Sequence, residues 1–369
     1  MVKNILVVFG TRPEAIKLAP VILELKKYPN LYNVIVCNTE QQKELSNQTL
    51  EFFDIQADIK LDCMRENQKL VDIQSRIMLK LQDVFNDNTI HATIVQGDTM
   101  SVFCGALVSF YNKIPVFHIE AGLRSNDIFE PFPEEAIRAM VSKITTLHFA
   151  PTNDAVQALK KEGIDKNVFM VGNTSIDALA CLSDEIMQKS DKFLENIDKE
   201  KLVLATIHRR ENHGDRLEVI CKAIKDLANK FKDHSFLIPV HPNPNVKNKI
   251  YEELSSISNV MLTNPLEYPM LISVMKNSKL ILTDSGGIQE EAPSFNVPIL
   301  VLRYETERIE GVNAGFSKLV GADYNKIISE ATNILDKHKK DTRIIKENPY
   351  GSGNASIYIK DYIDIFFKR

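Results

Sequence analysis

Residues 282–300 read LTDSGGIQEEAPSFNVPIL and join the end of one apolar strand to the beginning of the next. Between the two strands lie a Ser285-Gly286-Gly287 turn and a short helix that contains Glu290 and Glu291. Strand, helix and strand in immediate succession are typical of a βαβ unit with parallel strands. The glycines at the strand-to-helix junction indicate that another group approaches the backbone closely there.

The same alternation of strand and helix runs along the rest of the chain. Continuous apolar runs such as NILVVF at 4–9 and ATIVQG at 92–97 are typical of strands that are buried on both faces. Helical patterns lie between such runs, for example at 70–85 and 217–231. A polar segment without strand signals, at about 177–201, separates two series of strands and predicts a domain junction.

The length of 369 residues exceeds what one hydrophobic core usually serves. We therefore expect an α/β protein with two Rossmann-like domains, residues 1–175 and 176–351, that face each other across a cleft. In doubly wound sheets of this kind, ligands bind at the carboxyl ends of the strands. Motifs that directly follow strands are therefore the places to look for function.

The composition argues against several classes of function. The formal net charge is −4, so the chain lacks the basic surface expected of a nucleic-acid-binding protein. No apolar run is long enough to predict a membrane span. The five cysteines are scattered and form no C-x-x-C pair, which favours reduced thiols in the cytoplasm over disulfides or a zinc site.

Three charged residues follow the first apolar strands. In FGTRPEAIK at 9–17, Arg12 and Lys17 lie at the start of a helix and suit an anion, although the pattern also fits two solvated charges. In VQGDTMS at 95–101, Asp98 is either a functional carboxylate or the N-cap of the next helix.

Three further charged residues lie in HIEAGLRS at 118–125 and PEEAIR at 133–138. Glu120 ends an apolar strand, where a carboxylate is costly unless it has a partner or a task, so we expect a functional role. Glu134 begins a helix, and Arg138 lies one turn further on. Both fit either a functional site or an ion pair that stabilises a helix start.

Two histidines end strands in the second half of the chain. His208 lies in ATIHRREN at 205–212, and His241 lies in PVHPNP at 239–244. A histidine at a strand end in a basic cluster is suited to donate a proton or to contact a phosphate. The spacing of histidines and acids matches no known metal site, so we expect no metal.

The stretch at 282–300 suits a bound nucleotide. Its glycines let backbone N–H groups approach a phosphate, and its two acids are placed to accept hydrogen bonds from ribose hydroxyls. A glycine-permitted turn followed by acids that stabilise a helix start is the alternative. The motif G-x-G-x-x-G is absent, which argues against a dinucleotide cofactor.

Taken together, the ordered motifs resemble those of the non-hydrolysing UDP-N-acetylglucosamine 2-epimerase family. They run from Gly10 to Gly353 and comprise FGTRPEAIKLAP, GDT, HIEAGLRS, PEEAIR, GNTSIDAL, HRREN, VHPNPNV, LTDSGGIQEEAP, TER and NPYGSG. The resemblance implies a fold of the GT-B type with the active site in the cleft. It also implies that the C-terminal helix, residues 352–369, packs back on the first domain.

The resemblance further implies an activity. The family interconverts UDP-GlcNAc and UDP-ManNAc without a cofactor, by elimination of UDP to a 2-acetamidoglucal and re-addition with proton exchange at C2. A base must remove the poorly acidic C2 proton, a second group must return one, and cations must hold the departing UDP. The chain would then be a cytoplasmic, homodimeric isomerase that supplies ManNAc units for a surface polysaccharide such as a capsule.

Matched position by position, Asp98, Glu120 and Glu134 correspond to the family's acidic catalytic residues, and their order in removing and returning the proton stays open. His208 corresponds to the residue that assists departure of the diphosphate. The remaining positions correspond to substrate contacts: Arg12, Lys17, Arg138 and His241 around the sugar and diphosphate, Ser285, Gly286 and Gly287 in the diphosphate loop, Glu291 at the ribose, and Arg308.

Three positions depart from the family. Gln42, Lys43 and Asn67 stand where many bacterial members carry a histidine and arginines, at a site through which UDP-GlcNAc activates some of them. The loss of these fixed donors predicts weak or absent activation.

Rival interpretations are a hydrolysing relative that releases UDP and ManNAc, a GT-B glycosyltransferase, and a non-catalytic sensor of sugar nucleotides. The intact set of three acids, Asp98, Glu120 and Glu134, favours an enzyme over a sensor.

Overall fold

The computed structural model describes residues 1–65 and 68–368, and the chain divides into two compact units. The first unit comprises Met1–Cys181 and Tyr350–Arg369, and the second comprises Leu182–Pro349. The helix at Thr174–Ala180, which the expected boundary at residue 175 would cut, belongs to the first unit. Among the described residues, no helix combines the length and the apolarity needed to cross a membrane.

Strands and helices alternate through the first unit. They are β1 (Lys3–Phe9), α1 (Arg12–Lys26), β2 (Tyr32–Asn38), α2 (Lys43–Phe52), β3 (Ile59–Lys60), α3 (Leu70–Asp87), β4 (Ala92–Gln96), α4 (Met100–Tyr111), β5 (Val116–Ile119), α5 (Glu134–Ile144), β6 (Leu147–Ala150), α6 (Asn153–Lys161), β7 (Val168–Met170) and α7 (Thr174–Ala180).

The second unit repeats this alternation. Its elements are α8 (Asp184–Asp191), β8 (Leu202–Thr206), α9 (Asp215–Lys230), β9 (Ser235–Pro239), α10 (Pro244–Leu254), β10 (Val260–Thr263), α11 (Tyr268–Asn277), β11 (Leu280–Thr283), α12 (Gly286–Glu291), β12 (Ile299–Val301), α13 (Ile309–Asn313), β13 (Ser317–Leu319), α14 (Tyr324–Leu335) and α15 (Lys339–Thr342). Short 3₁₀ helices span Lys192–Leu194, Arg210–Asn212 and Ala292–Phe295.

Both sheets are parallel throughout. The strand orders are β3-β2-β1-β4-β5-β6-β7 and β10-β9-β8-β11-β12-β13, so the order reverses between β1 and β4 and between β8 and β11. Strand interiors such as Val7 and Leu282 are fully buried, because helices cover both faces of each sheet. These sheets confirm the predicted pair of Rossmann-like domains, and the two points of reversal are where such sheets bind ligands.

The last helix, α16 (Ala355–Lys368), packs against α1 and α7 within the first unit. The buried carboxylate of Asp177 accepts hydrogen bonds from the backbone N–H groups of Ala355 at 3.2 Å and Ser356 at 2.8 Å, and so caps the helix. Further along, the ring of Phe366 contacts that of Phe117 at a centroid distance of 5.2 Å.

Candidate functional site

The turn after β1 depends on close packing around Gly10. A Cβ at this position would lie 2.1 Å from the hydroxyl oxygen of Thr39 and 2.3 Å from that of Ser101. The φ angle of Gly10 is not positive, so close approach, and not a left-handed backbone, requires the glycine. The two hydroxyls lie 2.7 Å apart and join the segments that follow β2 and β4 beside this turn.

Glu14, in the first turn of α1, connects the loops that follow β1 and β4. Its carboxylate accepts hydrogen bonds from the backbone N–H groups of Gly10 at 3.1 Å and Thr11 at 2.8 Å, and from the Thr99 hydroxyl at 2.7 Å. Burial raises the pKa of Glu14 to about 7, although these hydrogen bonds favour the ionised form. Glu14 was not among the predicted site residues, although Thr11-x-x-Glu14 matches the capping-box signature.

Lys17 and Glu120 form a buried ion pair. The Lys17 ammonium, on α1, contacts the carboxylate of Glu120, directly after β5, and the side chains are 9% and 8% exposed. Glu120 adopts a φ of 65°, which is uncommon for a residue other than glycine. The alternative that Lys17 is a solvated surface charge is therefore wrong, and the cost of burying Glu120 is offset by its partner.

Asp98 and Arg138 form a second ion pair, at the end of the neighbouring strand. Asp98 follows β4, and its carboxylate contacts the guanidinium of Arg138 on α5, which also lies 3.4 Å from Glu135. Thr99 caps α4, because its hydroxyl accepts a hydrogen bond from the N–H of Val102 at 3.4 Å. The N-cap alternative for Asp98 is therefore wrong.

His118, on β5, fixes the backbone directly before Asp98. Its Nε2 lies 2.8 Å from the carbonyl oxygen of Gly97. Because a carbonyl only accepts, Nε2 carries the hydrogen. Burial lowers the pKa of His118 to about 4, so the ring is neutral at pH 7. The neutral ring thus holds Gly97, whose φ is 83°, in the conformation that directs the loop after β4.

Glu134 and Arg12 are half-buried and begin helices, as the first residues of α5 and α1. The backbone N–H of Arg12 donates a hydrogen bond to the side-chain oxygen of Gln42 at 3.1 Å. Lys43 forms an exposed ion pair with Asp62 at 3.2 Å. Two of the positions that depart from the family, Gln42 and Lys43, thus contact residues of the same unit, whereas the third, Asn67, lies outside the described residues.

In the second unit, His208 follows β8 and pairs with a carboxylate after the neighbouring strand β11. Its Nδ1 lies 2.8 Å from an oxygen of Asp284, and the His208 side chain is 39% exposed whereas Asp284 is fully buried. The pairing leaves Nε2 as the ring nitrogen available to a ligand. This arrangement suits the predicted contact with a departing diphosphate.

His241 lies beside His208, with 6.3 Å between the ring centroids. Its Nδ1 accepts a hydrogen bond from the N–H of Asn243 at 3.2 Å. Burial, reinforced by the neighbouring rings of His208 and His213, lowers the pKa of His241. A neutral His241 whose Nδ1 accepts must carry its hydrogen on Nε2, where it can donate to an anionic oxygen.

The side chain of Arg308 is the reason that residue 286, the first of the two turn glycines, has to be a glycine. A Cβ on Gly286 would lie 2.8 Å from Cζ of Arg308. The guanidinium is held by Glu290, with distances of 3.0 and 2.9 Å to Oε1, and by Glu307 at 3.1 Å. The group that approaches Gly286 is therefore a side chain of the same protein, and Glu290 serves as its partner.

Gly287 is different, because a Cβ there would meet no atom within 4 Å. The turn before it is fixed by the N–H of Ser285, which donates to the Thr283 hydroxyl at 2.9 Å. Glu291 is held in place by the Tyr268 hydroxyl, which donates to its carboxylate at 3.0 Å. Open space beside a fixed backbone is what close approach of a phosphate requires.

Three arginines, Arg209, Arg303 and Arg308, lie near one another beside this turn. Burial and the nearby charges of Arg308 and Arg303 lower the pKa of Arg209. Its Nε is buried, and no residue in the described ranges accepts a hydrogen bond from it. A bound anion would supply that acceptor. Arg209 was not predicted individually, although the HRREN motif was recognised as basic.

Within residues 1–65 and 68–368, no three His, Cys, Asp or Glu side chains are grouped so as to hold a metal ion.

Comparisons with known proteins agree with these features. The family model described as UDP-N-acetylglucosamine 2-epimerase matches residues 23–364. A protein from Neisseria meningitidis named UDP-N-acetylglucosamine 2-epimerase is 46% identical over 363 residues, which cover 96% of this chain and 97% of the relative.

Solved structures of such enzymes superpose over the whole chain. The crystal structure of the Neisseria meningitidis UDP-GlcNAc 2-epimerase bound to UDP-GlcNAc has a TM-score of 0.92 at 44% identity and covers 99% of this chain and 100% of that one. The Methanocaldococcus jannaschii enzyme in complex with UDP-GlcNAc and UDP has a TM-score of 0.85 at 31% identity, with coverages of 99% and 100%. The predicted GT-B class is confirmed, and the chain belongs to the UDP-N-acetylglucosamine 2-epimerase family.

Proposed function

We propose that the chain interconverts UDP-GlcNAc and UDP-ManNAc reversibly and without net hydrolysis. The observation that carries the proposal is the pair of carboxylates at neighbouring strand ends, Glu120 with Lys17 and Asp98 with Arg138. Proton removal and proton return at one carbon require two such acid–base groups. Membership of the family supplies the substrate class.

The proposed reaction is an elimination followed by an addition. A base first removes the C2 proton, the bond between C1 and the diphosphate oxygen breaks, and UDP leaves with the bonding electrons. The product of this half is 2-acetamidoglucal. The diphosphate oxygen then adds back to C1 while an acid delivers a proton to the opposite face of C2. Because no hydride is transferred, no nicotinamide is needed.

We assign the proton transfers to Asp98, Glu120 and Glu134, with their order left open. The first two each contact a cationic side chain in an ion pair. Lys17 and Arg138 fix the orientation of these carboxylates, and a carboxylate held in one geometry is effective in proton transfer. Arg12 and Arg138 are further assigned to the sugar and diphosphate.

The groups of the second unit suit an anionic leaving group. The half-exposed ring of His208 and the open backbone at Gly287 are assigned to the diphosphate, together with Ser285, Gly286, His241 and Arg308. The buried Nε of Arg209 lacks an acceptor among the described residues and adds positive charge to the same turn. Glu291, held by Tyr268, is assigned to the ribose.

The test is to incubate the protein with UDP-GlcNAc in deuterium oxide and to follow the sugar by proton NMR. We expect the C2 proton signal to disappear as UDP-ManNAc accumulates. Asp98→Asn should abolish both changes, because the amide cannot accept a proton. Asp233→Asn, at an acid whose side chain is 61% exposed, is the matched control and should leave the rate unchanged.

The same spectra separate the rival functions. Free ManNAc together with UDP would identify a hydrolysing relative. Retention of the C2 proton in the presence of tight UDP-GlcNAc binding would identify a glycosyltransferase or a sensor, and would refute the proposal.

We also infer a homodimer and weak activation by UDP-GlcNAc. Four apolar side chains on α3 and α4 are exposed: Val71 by 69%, Leu79 by 71%, Phe110 by 53% and Tyr111 by 63%. Exposed apolar side chains on these two helices are candidates for contact with a second copy of the chain. Sedimentation should show a dimer that Phe110→Glu dissociates.

The inference of weak activation is tested by kinetics. Initial rates from UDP-ManNAc should depend hyperbolically on its concentration and should be insensitive to trace UDP-GlcNAc. A sigmoidal dependence would contradict weak activation.

A further inference from the structure

The buried carboxylate of Asp284 has no role in the assignment above. It directly follows β11 and is fully buried, which is costly for a charge unless both oxygens are satisfied. Four donors satisfy it. They are Nδ1 of His208 at 2.8 Å, the backbone N–H of His208 at 3.1 Å, the backbone N–H of Arg209 at 3.0 Å and the side-chain amide of Asn212 at 2.9 Å.

These donors fix the protonation of the pair. Burial by itself would raise the pKa of Asp284, but the hydrogen bonds from His208, Arg209 and Asn212 lower it below the ordinary value. The carboxylate is therefore ionised near neutral pH and can only accept. Nδ1 of His208 must then carry a hydrogen, which leaves Nε2 as the nitrogen whose proton can be exchanged.

We propose that Asp284 is the positioning residue for His208. It holds the ring and the His208 backbone at the same carboxylate, and so fixes one tautomer in which Nε2 is the ring nitrogen left for a ligand. A proton bound at Nε2 is then directed to an oxygen of the departing diphosphate. Carboxylates that orient functional histidines in other proteins act in this way. The assignment rests on the proposed role of His208.

If Asp284 only joined the loops after β8 and β11, its substitution would lower activity equally with and without His208. A positioning residue for His208 behaves differently. We expect Asp284→Asn to lower kcat by about 100-fold or more, with a change in KM of less than about threefold. In a His208→Ala background, the same substitution should change kcat by less than about threefold, because the group through which it acts is gone. Equal losses in both backgrounds would overturn the proposal.

The tautomer is observed on the wild-type protein and independently of activity. Nitrogen-15 NMR of the eight histidines, with His208 assigned by its loss in His208→Ala, should show a hydrogen on Nδ1 of His208. Asn212→Ala is the matched control, since it removes one donor to Asp284 and leaves the Nδ1 contact in place. A neutral His208 with its hydrogen on Nε2 would overturn the proposal. Absence of epimerase activity alongside the expected tautomer would instead reject the proposed function alone.

Discussion

The substitution Gly287→Ala should change the stability of the fold and the binding of a ligand in opposite directions. A Cβ at residue 287 meets no atom within 4 Å, and the φ angle is not positive. The position lies within α12, so the backbone already has a conformation that alanine adopts. Alanine reduces the conformational freedom of the unfolded chain, and the free energy of unfolding should therefore rise by about 0.4–1 kcal/mol.

The same methyl group should weaken the binding of UDP. If the open space beside Gly287 receives the diphosphate, the methyl displaces at least one charge-assisted hydrogen bond, worth about 1.5–3 kcal/mol. At about 1.4 kcal/mol per tenfold change, the dissociation constant should rise by about 10- to 100-fold. Gly286→Ala is the matched control. Its Cβ would lie 2.8 Å from the Arg308 guanidinium carbon, so this variant should lose both stability and affinity.

Isothermal titration with UDP and urea unfolding on the same preparations measure the two quantities. The expected result for Gly287→Ala is higher stability with weaker binding. Binding of UDP within about twofold of the wild-type value would show that the diphosphate does not approach this backbone, and would refute the reasoning.

Three further substitutions test the buried charges. Lys17→Met removes the ammonium partner of a buried carboxylate and should lower the free energy of unfolding by about 3 kcal/mol in urea titrations, whereas Lys201→Met, in a pair that is 40% and 61% exposed, should change it far less. Burial raises the pKa of Glu14 from 4.5 to about 7, so the folded state binds more protons in that interval. The free energy of unfolding of the wild type, relative to that of Glu14→Gln, should therefore fall by up to roughly 3 kcal/mol as the pH rises from 4.5 to 7. If the two free energies change with pH in parallel, the raised pKa of Glu14 is contradicted. Asp177→Ala removes the cap of α16 and should speed hydrogen exchange in that helix by about tenfold, which corresponds to a loss of about 1.4 kcal/mol; unchanged exchange would mean that the cap does not hold the helix.

The central strands could be predicted from the sequence, because burial on both faces leaves a continuous apolar run. The strands β4 and β11 are of this kind. The strands β3 and β13 were not predicted. Both lie at the edge of a sheet and are only two and three residues long, and Lys60 and Lys318 within them are exposed. An edge strand pairs on one side only, so its sequence need not be apolar.

The place of a candidate residue in the fold was predictable where it ends a strand, since position along the chain then implies position in the sheet. Asp98, Glu120 and His208 follow β4, β5 and β8, and their roles in the reaction stay predictions. Glu14 and Asp284 were not singled out. Asp284 also ends a strand, but the partners that give both residues their roles are distant in sequence. Glu14 bonds to Thr99, 85 residues away, and Asp284 bonds to His208, 76 residues away. No local pattern encodes these pairings.

The return of α16 to the first unit has a consequence for biosynthesis. The ribosome makes the whole of Leu182–Pro349 before it reaches Ala355–Lys368, so the unit that is translated first is completed last. Until then the nascent chain leaves uncovered the apolar side chains of Phe117 and Phe169, which later contact Phe366 and Tyr362. A premature stop codon anywhere in the second unit therefore also leaves the first unit unfinished and exposes that surface to chaperones and proteases.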